Sequence, residues 1–429
     1  MKSKIKVVPK EYLFPFILIT SLFALWGFAN DITNPMVAAF KTVMEISNAK
    51  AAMVQFAFYG GYATMAIPAA LVIKRYSYKV GIIVGLTLYA IGALLFYPAA
   101  QFEFFGFFLV SLYILTFGLA FLETTANPYI LSMGPEETAT RRLNLAQSFN
   151  PMGSIFGMFV ASNVILAALE SDKRDAAGNL IFETLSASEK AGIRAHDLAV
   201  IRDPYVMLGF FVILMLAIIA LSKMPKRAKA DHSIRTMDTF KRLAKNVKYR
   251  EGVLAQVFYV GAQIMCWTFI IQYADNLGIP KAEAQRYNII AMAIFIGSRF
   301  VSTFLMKYLN ARFMLTIFAL GGMLTTTGVI LIEGMPGLYL LIATSAFMSL
   351  MFPTIYGIAL EGLGEDSTLG AAGLVMAIVG GALMPPLQGL LIDQGTIAWL
   401  PAVNFSFVLP FICFVAIAIY GYRTMKIHV

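Results

Sequence analysis

Two acidic residues lie inside long apolar segments of the chain. Glu123 is the only charged residue between Phe107 and Tyr129, and Asp31 is the only one between Tyr12 and Phe40. An ionisable group in such a segment is costly unless it is paired, hydrated or neutralised, so it indicates a functional site. Removal from water disfavours the charged form of a carboxylate, so a carboxyl group there can take up a proton and release it again. Both acids are therefore candidates for proton coupling.

Amide side chains stand at helical spacing from these acids. Asn34 follows Asp31 by three residues and Asn127 follows Glu123 by four, and residues at these spacings share a helix face. Carboxylates and amides on different helices can therefore line one wet cavity. Amides within membrane helices also link helices to each other, each contributing about 1 kcal/mol or less, and that structural role stays open for Asn127.

Two further pairs at helical spacing add to this set. Gln147 and Asn150 are three residues apart, and Gln263 precedes Trp267 by four. A sugar needs hydrogen-bond partners for its hydroxyls and flat apolar surfaces for its C–H faces, and such a lining provides both. We therefore expect a binding cavity with the following substrate-contacting side chains: Asp31, Asn34, Asn127, Gln147, Asn150, Gln263 and Trp267.

The composition places these residues in a membrane protein. The chain has 429 residues, of which 59% are hydrophobic and 13% charged, whereas soluble domains carry about 25% charged residues. A membrane-spanning helix uses about 20 apolar residues. We predict twelve spans, at 13–40, 51–73, 80–99, 105–131, 143–168, 204–222, 252–274, 285–306, 313–332, 338–359, 369–392 and 399–422.

The basic residues predict the orientation of these spans. Loops on the side of the two termini carry 23 of the 33 Lys and Arg residues, and the opposite loops carry nine. Cytoplasmic loops are the ones enriched in Lys and Arg, so both termini are expected in the cytoplasm. The net charge of +9 follows from this pattern, and we expect no nucleic-acid partner. Cys266 and Cys413 lie in apolar runs and are expected to pack rather than to form a disulfide.

Two polar segments interrupt the spans. Residues 169–203 form a predicted loop on the side opposite the termini. Residues 223–250 are strongly basic and divide the chain at its midpoint. We therefore predict an amino-terminal six-helix bundle at 1–222, a basic cytoplasmic linker at 223–250 and a carboxyl-terminal six-helix bundle at 251–429. Such 6+6 arrangements resemble the two halves of the major facilitator superfamily.

Several segments carry a closer resemblance. They are SLFALWGFAND (21–31), PAALVIKRYSYKVGIIVGL (68–86), FLETTANPY (121–129), RLNLAQSFNPMGSIFG (142–157), VLAQVFYVGAQIMCW (253–267) and SAFMSLMFPTIYGIAL (345–360). Over essentially its whole length the chain resembles the L-fucose:proton symporter family of the major facilitator superfamily. The resemblance implies an all-α integral membrane protein with 12 transmembrane helices in two six-helix bundles. It also implies secondary active uptake of L-fucose or a related monosaccharide by proton symport with alternating access.

The resemblance assigns roles to individual residues. Glu123 matches the acid expected to exchange the coupling proton. Gln147 and Asn150 match polar cavity residues of the fifth span, and Gln263 matches a glutamine of the seventh. The first span departs from the family pattern, because the fucose permeases carry an amide at the position of Asp31 and the acid three residues later. The acid and the amide are thus exchanged across one helical turn, about 4.5 Å along the axis.

Other functions remain open at this point. The same fold could transport glucose, galactose or N-acetylglucosamine, or it could use sodium in place of the proton. A metabolite exporter is a weaker alternative, because drug exporters favour apolar cavities. An enzyme is not expected, since the sequence shows no nucleotide-binding motif, metal-ligand cluster or nucleophile–base pair. We expect no cofactor or metal, and the proton is the only coupling ion. The expected partners are a monosaccharide and the lipid bilayer. We also expect a monomer located in the bacterial inner (plasma) membrane.

Overall fold

Long apolar runs determine the architecture, because a helix satisfies its own backbone hydrogen bonds inside a membrane. A computed structural model describes residues 8–135, 142, 145–146, 149–224, 236–306, 308–363, 366–397 and 399–426. Nearly all of this part of the chain is helical, which confirms the all-α prediction. Its described residues hold eleven helical segments that are long and apolar enough to cross a membrane.

Within the described residues, twelve long helices correspond to the twelve predicted spans. In the first half they are α1 (Leu13–Thr33), α2 (Met53–Arg75), α3 (Tyr78–Leu94), α4 (Phe105–Leu131), α5 (Phe149–Val160) and α6 (Ala187–Leu221). In the second half they are α7 (Val247–Asn276), α8 (Lys281–Leu305), α9 (Ala311–Leu331), α10 (Gly334–Met348), α11 (Gly380–Ile392) and α12 (Val408–Lys426). The eleven apolar segments include all of these except α8, whose 25 residues are long enough but carry several charges.

Short helical segments extend several of these helices. Met36–Val43 continues α1, Asn48–Ala51 leads into α2, and Phe96–Gln101 continues α3. A π-helical turn at Ala161–Ile165 and a 3-10 turn at Leu166–Ala168 continue α5. In the second half the extensions are Met351–Leu360 after α10, Ser367–Met376 and Ala377–Val379 before α11, and Ala402–Phe405 before α12. Two short strands, β1 (Thr396–Ile397) and β2 (Leu400–Pro401), pair antiparallel between α11 and α12.

The sixth helix begins earlier than the sequence predicts. We expected a polar loop through residue 203, but α6 begins at Ala187. The Ser186 hydroxyl oxygen accepts a hydrogen bond from the backbone N–H of Glu189, and the Glu189 carboxylate accepts one from the backbone N–H of Ser186. This reciprocal capping starts a helix before the apolar run is reached. The predicted loop is therefore wrong over its second half, because hydropathy detects the membrane span but not its extension into water.

The basic linker also contains a helix. Residues Thr236–Lys245 form a helix. Its buried residue Leu243 packs against residues of α7. The Arg242 guanidinium donates hydrogen bonds to both carboxylate oxygens of Asp366, at 2.7 and 2.6 Å. The helix at Thr236–Lys245 thus packs against the second half of the chain. The division into domains at 222 and 251 stays a prediction.

In the part of the chain that the structure describes, the two halves meet along three pairs of helices. α1 faces α7, α2 faces α11, and α5 faces α8. We call the face opposite the two termini the far face, and the segment at 169–186 lies there.

The two cysteines are free and buried, which confirms that they pack rather than form a disulfide.

Candidate functional site

A cavity of about 340 Å³ lies between the two halves. Its volume falls within the range of about 300–1,000 Å³ typical of small-molecule sites. The first half lines it from α1, α2, α4 and α5, and the second half from α7, α8 and the segments that flank α10 and α11. The lining includes five of the predicted site residues: Asp31, Glu123, Asn150, Gln263 and Trp267.

Asp31 is buried in α1 and has only 1% of its surface exposed. Ser154 of α5 and its own neighbour Asn30 lie beside the carboxylate, but neither oxygen has a hydrogen-bond partner of normal geometry among the described residues. Two glycines allow this close packing of α1 on α5. A Cβ on Gly27 would lie 2.1 Å from the Asn150 carbonyl oxygen, and one on Gly153 would lie 1.9 Å from that of Ala24. The sequence therefore brings polar groups of α5 against the acid of α1.

Glu123 reaches the same cavity from α4. Its side chain is partly buried. Tyr62 of α2 lines the cavity beside it. The cavity thus contains two carboxyl groups from two different helices of the first half.

Amides and aromatic rings complete the lining. The Asn150 amide donates a 3.3 Å hydrogen bond to the Phe23 carbonyl oxygen. The Trp267 indole donates to Ser345 Oγ at 3.1 Å, and its ring stands edge-on to Phe295 with centroids 5.0 Å apart. These bonds hold the two side chains in fixed orientations while they face the cavity.

The first half supplies an aromatic–amide pair of its own. The Tyr59 hydroxyl donates a 2.9 Å hydrogen bond to Asn30 Oδ1, and Trp26 lies nearby in the lining. Gln263 faces these groups from α7. Aromatic faces and amide groups therefore approach the cavity from opposite sides, as a bound sugar requires.

Asn34 lies outside the cavity lining. Its Oδ1 accepts hydrogen bonds from Gln55 Nε2 at 2.7 Å and from Thr268 Oγ1 at 2.8 Å. Gln55 Nε2 also donates to Thr268 Oγ1 at 2.8 Å. These three buried side chains come from α1, α2 and α7, so Asn34 joins the two halves on the far-face side of Asp31. The predicted contact between Asn34 and a substrate has no support from this geometry.

Two predicted residues cannot be placed in this way. The side chain of Asn127 and the whole of Gln147 lie outside the described residues. Asn127 belongs to the last turns of α4 by its backbone alone. Their substrate contacts stay predictions.

Arg299 is a lining residue that the sequence did not assign to the site. Its Nε donates to the Ser349 carbonyl oxygen at 3.0 Å, and its guanidinium lies 4.7 Å from the centroid of the Phe295 ring. The available signal was its position, because it is the one Lys or Arg deep inside a predicted span, whereas Arg286 lies at the start of the same span. Ser154 and Tyr62 also line the cavity, and nothing in the local sequence distinguishes them from packing residues.

A larger cavity of about 820 Å³ opens on the far face. It is lined by loop and helix-end residues, including Lys41, Arg174, Glu183 and Asp275. None of the predicted site residues borders it. The central cavity is therefore the candidate site, because it alone of the two contains the intramembrane carboxylates.

A polar cavity enclosed by membrane helices from both halves of a chain is the arrangement expected of a membrane transporter. The chain belongs to the Major Facilitator Superfamily, whose model matches residues 17–379. It is 71% identical over 423 residues to the L-fucose-proton symporter of Haemophilus influenzae, with 98% of this chain and 99% of the relative covered. It is 36% identical to the L-fucose-proton symporter of Escherichia coli, with 94% and 93% covered.

A solved structure supports the same fold. The crystal structure of FucP, a Major Facilitator Superfamily transporter, in the outward conformation matches with a TM-score of 0.71 and 33% identity. The match covers 97% of this chain and 99% of that one. The predicted 12-helix fold and the predicted membership of this superfamily are confirmed.

Proposed function

We propose that this chain takes up L-fucose together with a proton by alternating access. The observation that carries the proposal is the central cavity, in which two carboxyl groups lie among amides and aromatic rings. The sugar is suggested by the two relatives described as L-fucose-proton symporters, of which one is 71% identical along nearly the full length of both chains.

The lining explains how a sugar could be held. Asn30, Asn150 and Gln263 present amide groups, and Trp26 and Trp267 present aromatic faces. Amides both donate and accept hydrogen bonds, so they match hydroxyls in either role. Because these groups come from both halves, a bound sugar would contact both and favour the state in which they close around it. Selective closure of this kind is what a transporter needs from its substrate.

The two acids explain how a proton could accompany the sugar. An ionised Asp31 would be a buried charge without a hydrogen-bond partner among the described residues, and an uncompensated buried charge is costly. Protonation removes that cost and supplies a donor for a sugar hydroxyl. Binding of the proton and of the sugar would then favour each other, which is the coupling that symport requires. Glu123, facing the same cavity, is the proposed proton carrier.

The remaining expectations belong to this proposal. We propose that both termini lie in the cytoplasm, so that the far face is the outer one, in a bacterial inner membrane. The transporter would act as a monomer in the bilayer, with no cofactor apart from the coupling proton. Enrichment of Lys and Arg in the loops on the side of the termini supports this orientation.

A counterflow panel in proteoliposomes tests the substrate and the coupling ion together. L-fucose should exchange faster than glucose, galactose or N-acetylglucosamine, and its addition should make the bath more alkaline. Preference for one of the other sugars would refute the substrate assignment. Sodium-dependent uptake without alkalinisation would refute proton coupling. Asp203→Asn is a suitable control, because that carboxylate is exposed on α6 and paired with Arg202.

A further inference from the structure

On the far face, Asp393 of the second half binds the start of a helix in the first half. Its Oδ1 accepts from the backbone N–H of Asn48 at 2.8 Å and from Asn48 Nδ2 at 2.7 Å. Its Oδ2 accepts from the backbone N–H of Ala49 at 3.0 Å. Asn48 and Ala49 begin the helical turn that leads into α2. A carboxylate at the end of α11 therefore caps the α2 segment from the opposite half.

Asp172 makes the reverse contact. It follows α5 in the first half, and its Oδ2 accepts from the backbone N–H of Lys281 at 2.7 Å. Lys281 is the first residue of α8, whose own N-cap residue, Pro280, provides no side-chain hydrogen bond. The first half thus caps a helix of the second half, as the second half caps a helix of the first. We call Asp172 and Asp393 the far-face caps.

Charges of both signs surround the Asp172 cap. The Lys281 ammonium is fully buried and lies 2.8 Å from Asp172 Oδ1 and 3.3 Å from Asp275 Oδ1. Arg174, from the same segment as Asp172, forms an ion pair with Asp275 at the end of α7. Two cations and two anions, drawn from both halves, therefore balance each other at this contact.

The two caps and the ion pair of Lys281 with Asp172 can form only while the far face is closed. The first N–H groups of a helix have no partner within the helix, and the helix dipole favours an anion beside them. Hydrogen bonds to a charged acceptor are also stronger than neutral ones. If the halves separate on the far face, the start of α8 loses its cap, the start of the α2 segment keeps only the Ser47 cap, and the buried Lys281 must be hydrated. These contacts consequently favour the closed arrangement and no other.

We propose that the far-face caps are the gate contacts that hold the transporter closed on this face and detach once in every transport cycle. With six helices in each half, α5 and α11 are the fifth helices and α2 and α8 the second helices. The two caps are then equivalent contacts, each from the end of a fifth helix to the start of a second helix. The inference relies on alternating access, which is part of the proposed function, but on neither the sugar nor the proton.

A distance measurement between the halves tests this role. Spin labels at Lys50 and Glu283 replace two exposed side chains, one in each half of the far face, in a background whose two cysteines are alanine. Double electron–electron resonance without sugar then reports the closed and open populations. The double variant Asp172→Ala/Asp393→Ala should raise the open-to-closed ratio at least tenfold, and each single variant should give an intermediate shift.

Asp175→Ala is the matched control. This carboxylate belongs to the same segment as Asp172, but the hydrogen bonds it accepts from described residues stay within its own loop. They come from the backbone N–H groups of Ala177 and Asn179 and from the Asn179 amide. It should leave the distance distribution unchanged. An unchanged distribution in the folded double variant would overturn the proposal. If the alanine variant does not fold, the pair Asp172→Asn and Asp393→Asn should give a smaller shift of the same sign. Failure of both pairs to fold would overturn the gate role in favour of a structural one.

This experiment separates the gate from the transport function. A normal distance shift together with absent L-fucose counterflow would leave the gate standing and remove the proposed substrate. Normal counterflow together with an unchanged distance distribution would support the substrate and refute the gate.

Discussion

Substitution of Gly389 by alanine should open the far face, because this glycine lets α11 approach the start of α2. Gly389 lies one turn before Asp393 on α11. A Cβ at this position would lie 2.7 Å from the Ala49 nitrogen, 2.8 Å from its Cα and 2.8 Å from the Asn48 carbonyl carbon. Ordinary van der Waals contact begins at 3.4 Å, and these atoms belong to backbone that cannot rotate away. The two helices must therefore move apart.

The expected magnitude follows from the nature of this contact. Enlarging a side chain in a well-packed site costs about 1–3 kcal/mol. Here the contact joins the two halves, so the cost applies to the closed state and disappears when the face opens. A free-energy difference of about 1–3 kcal/mol between two states shifts their ratio by about 5–150-fold. The gain in helix propensity from glycine to alanine, up to about 1 kcal/mol, acts in both states and cancels.

The spin-label pair at Lys50 and Glu283 measures this shift directly. Gly357→Ala is the matched control, because Gly357 is also a helical glycine of the second half but a Cβ there meets no heavy atom within 4 Å. Gly389→Ala should raise the open population at least fivefold over this control. Equal distance distributions in the two variants would show that the close approach of α11 to the start of α2 does not hold the far face closed. That result would refute the gate proposal.

Three further outcomes concern the central cavity. Glu123→Gln should keep L-fucose counterflow but lose accumulation and sugar-induced alkalinisation; normal proton uptake would contradict its role as carrier. Asp31→Asn should keep sugar binding, because the amide is neutral and still donates to a hydroxyl, but it should weaken active uptake; loss of binding by calorimetry would contradict the role proposed for its protonation. Asn150→Ala should lower sugar affinity about 5- to 150-fold, since a lost partner leaves a polar group unsatisfied at about 1–3 kcal/mol. Unchanged affinity with a lower melting temperature would make Asn150 a packing residue.

The acids of the cavity could be found from the sequence because the signal is local. A charge in an apolar run stands out without knowledge of its partners, and this holds for both Asp31 and Glu123. The helices were found for the same reason, since apolar runs of sufficient length have one stable form in a membrane. Where the helix depended on a cap instead, as at Ser186, its start was missed by 17 residues: the prediction placed it at 204 and the structure places it at Ala187.

Side-chain partners from distant parts of the chain were beyond such reasoning. Asn34 shares a helix face with Asp31, which suggested a common cavity. The structure instead joins Asn34 to Gln55 and Thr268, which are 21 and 234 residues away. A helix face is wide enough for adjacent turns to meet different neighbours, and local spacing does not reveal which neighbour each turn meets. Arg299 is the opposite case, a cavity residue that was not predicted. It lines the same cavity as the two acids because α8 packs against the first half, and local sequence does not reveal that packing.

The pattern of far-face contacts gives the predicted two-half organisation a physical meaning. The segment after α5 binds the start of α8, and the end of α11 binds the start of the α2 segment. If each half moves as a unit, both contacts break or form together, because each joins one half to the other. If single helices moved independently, one cap could persist while the other was lost, and the remaining anion would still hold that side closed. Comparing the Asp172→Ala and Asp393→Ala single variants therefore decides between the two motions. Rigid halves predict that either substitution shifts the same closed-to-open equilibrium, whereas independent helices predict a separate opening at each cap.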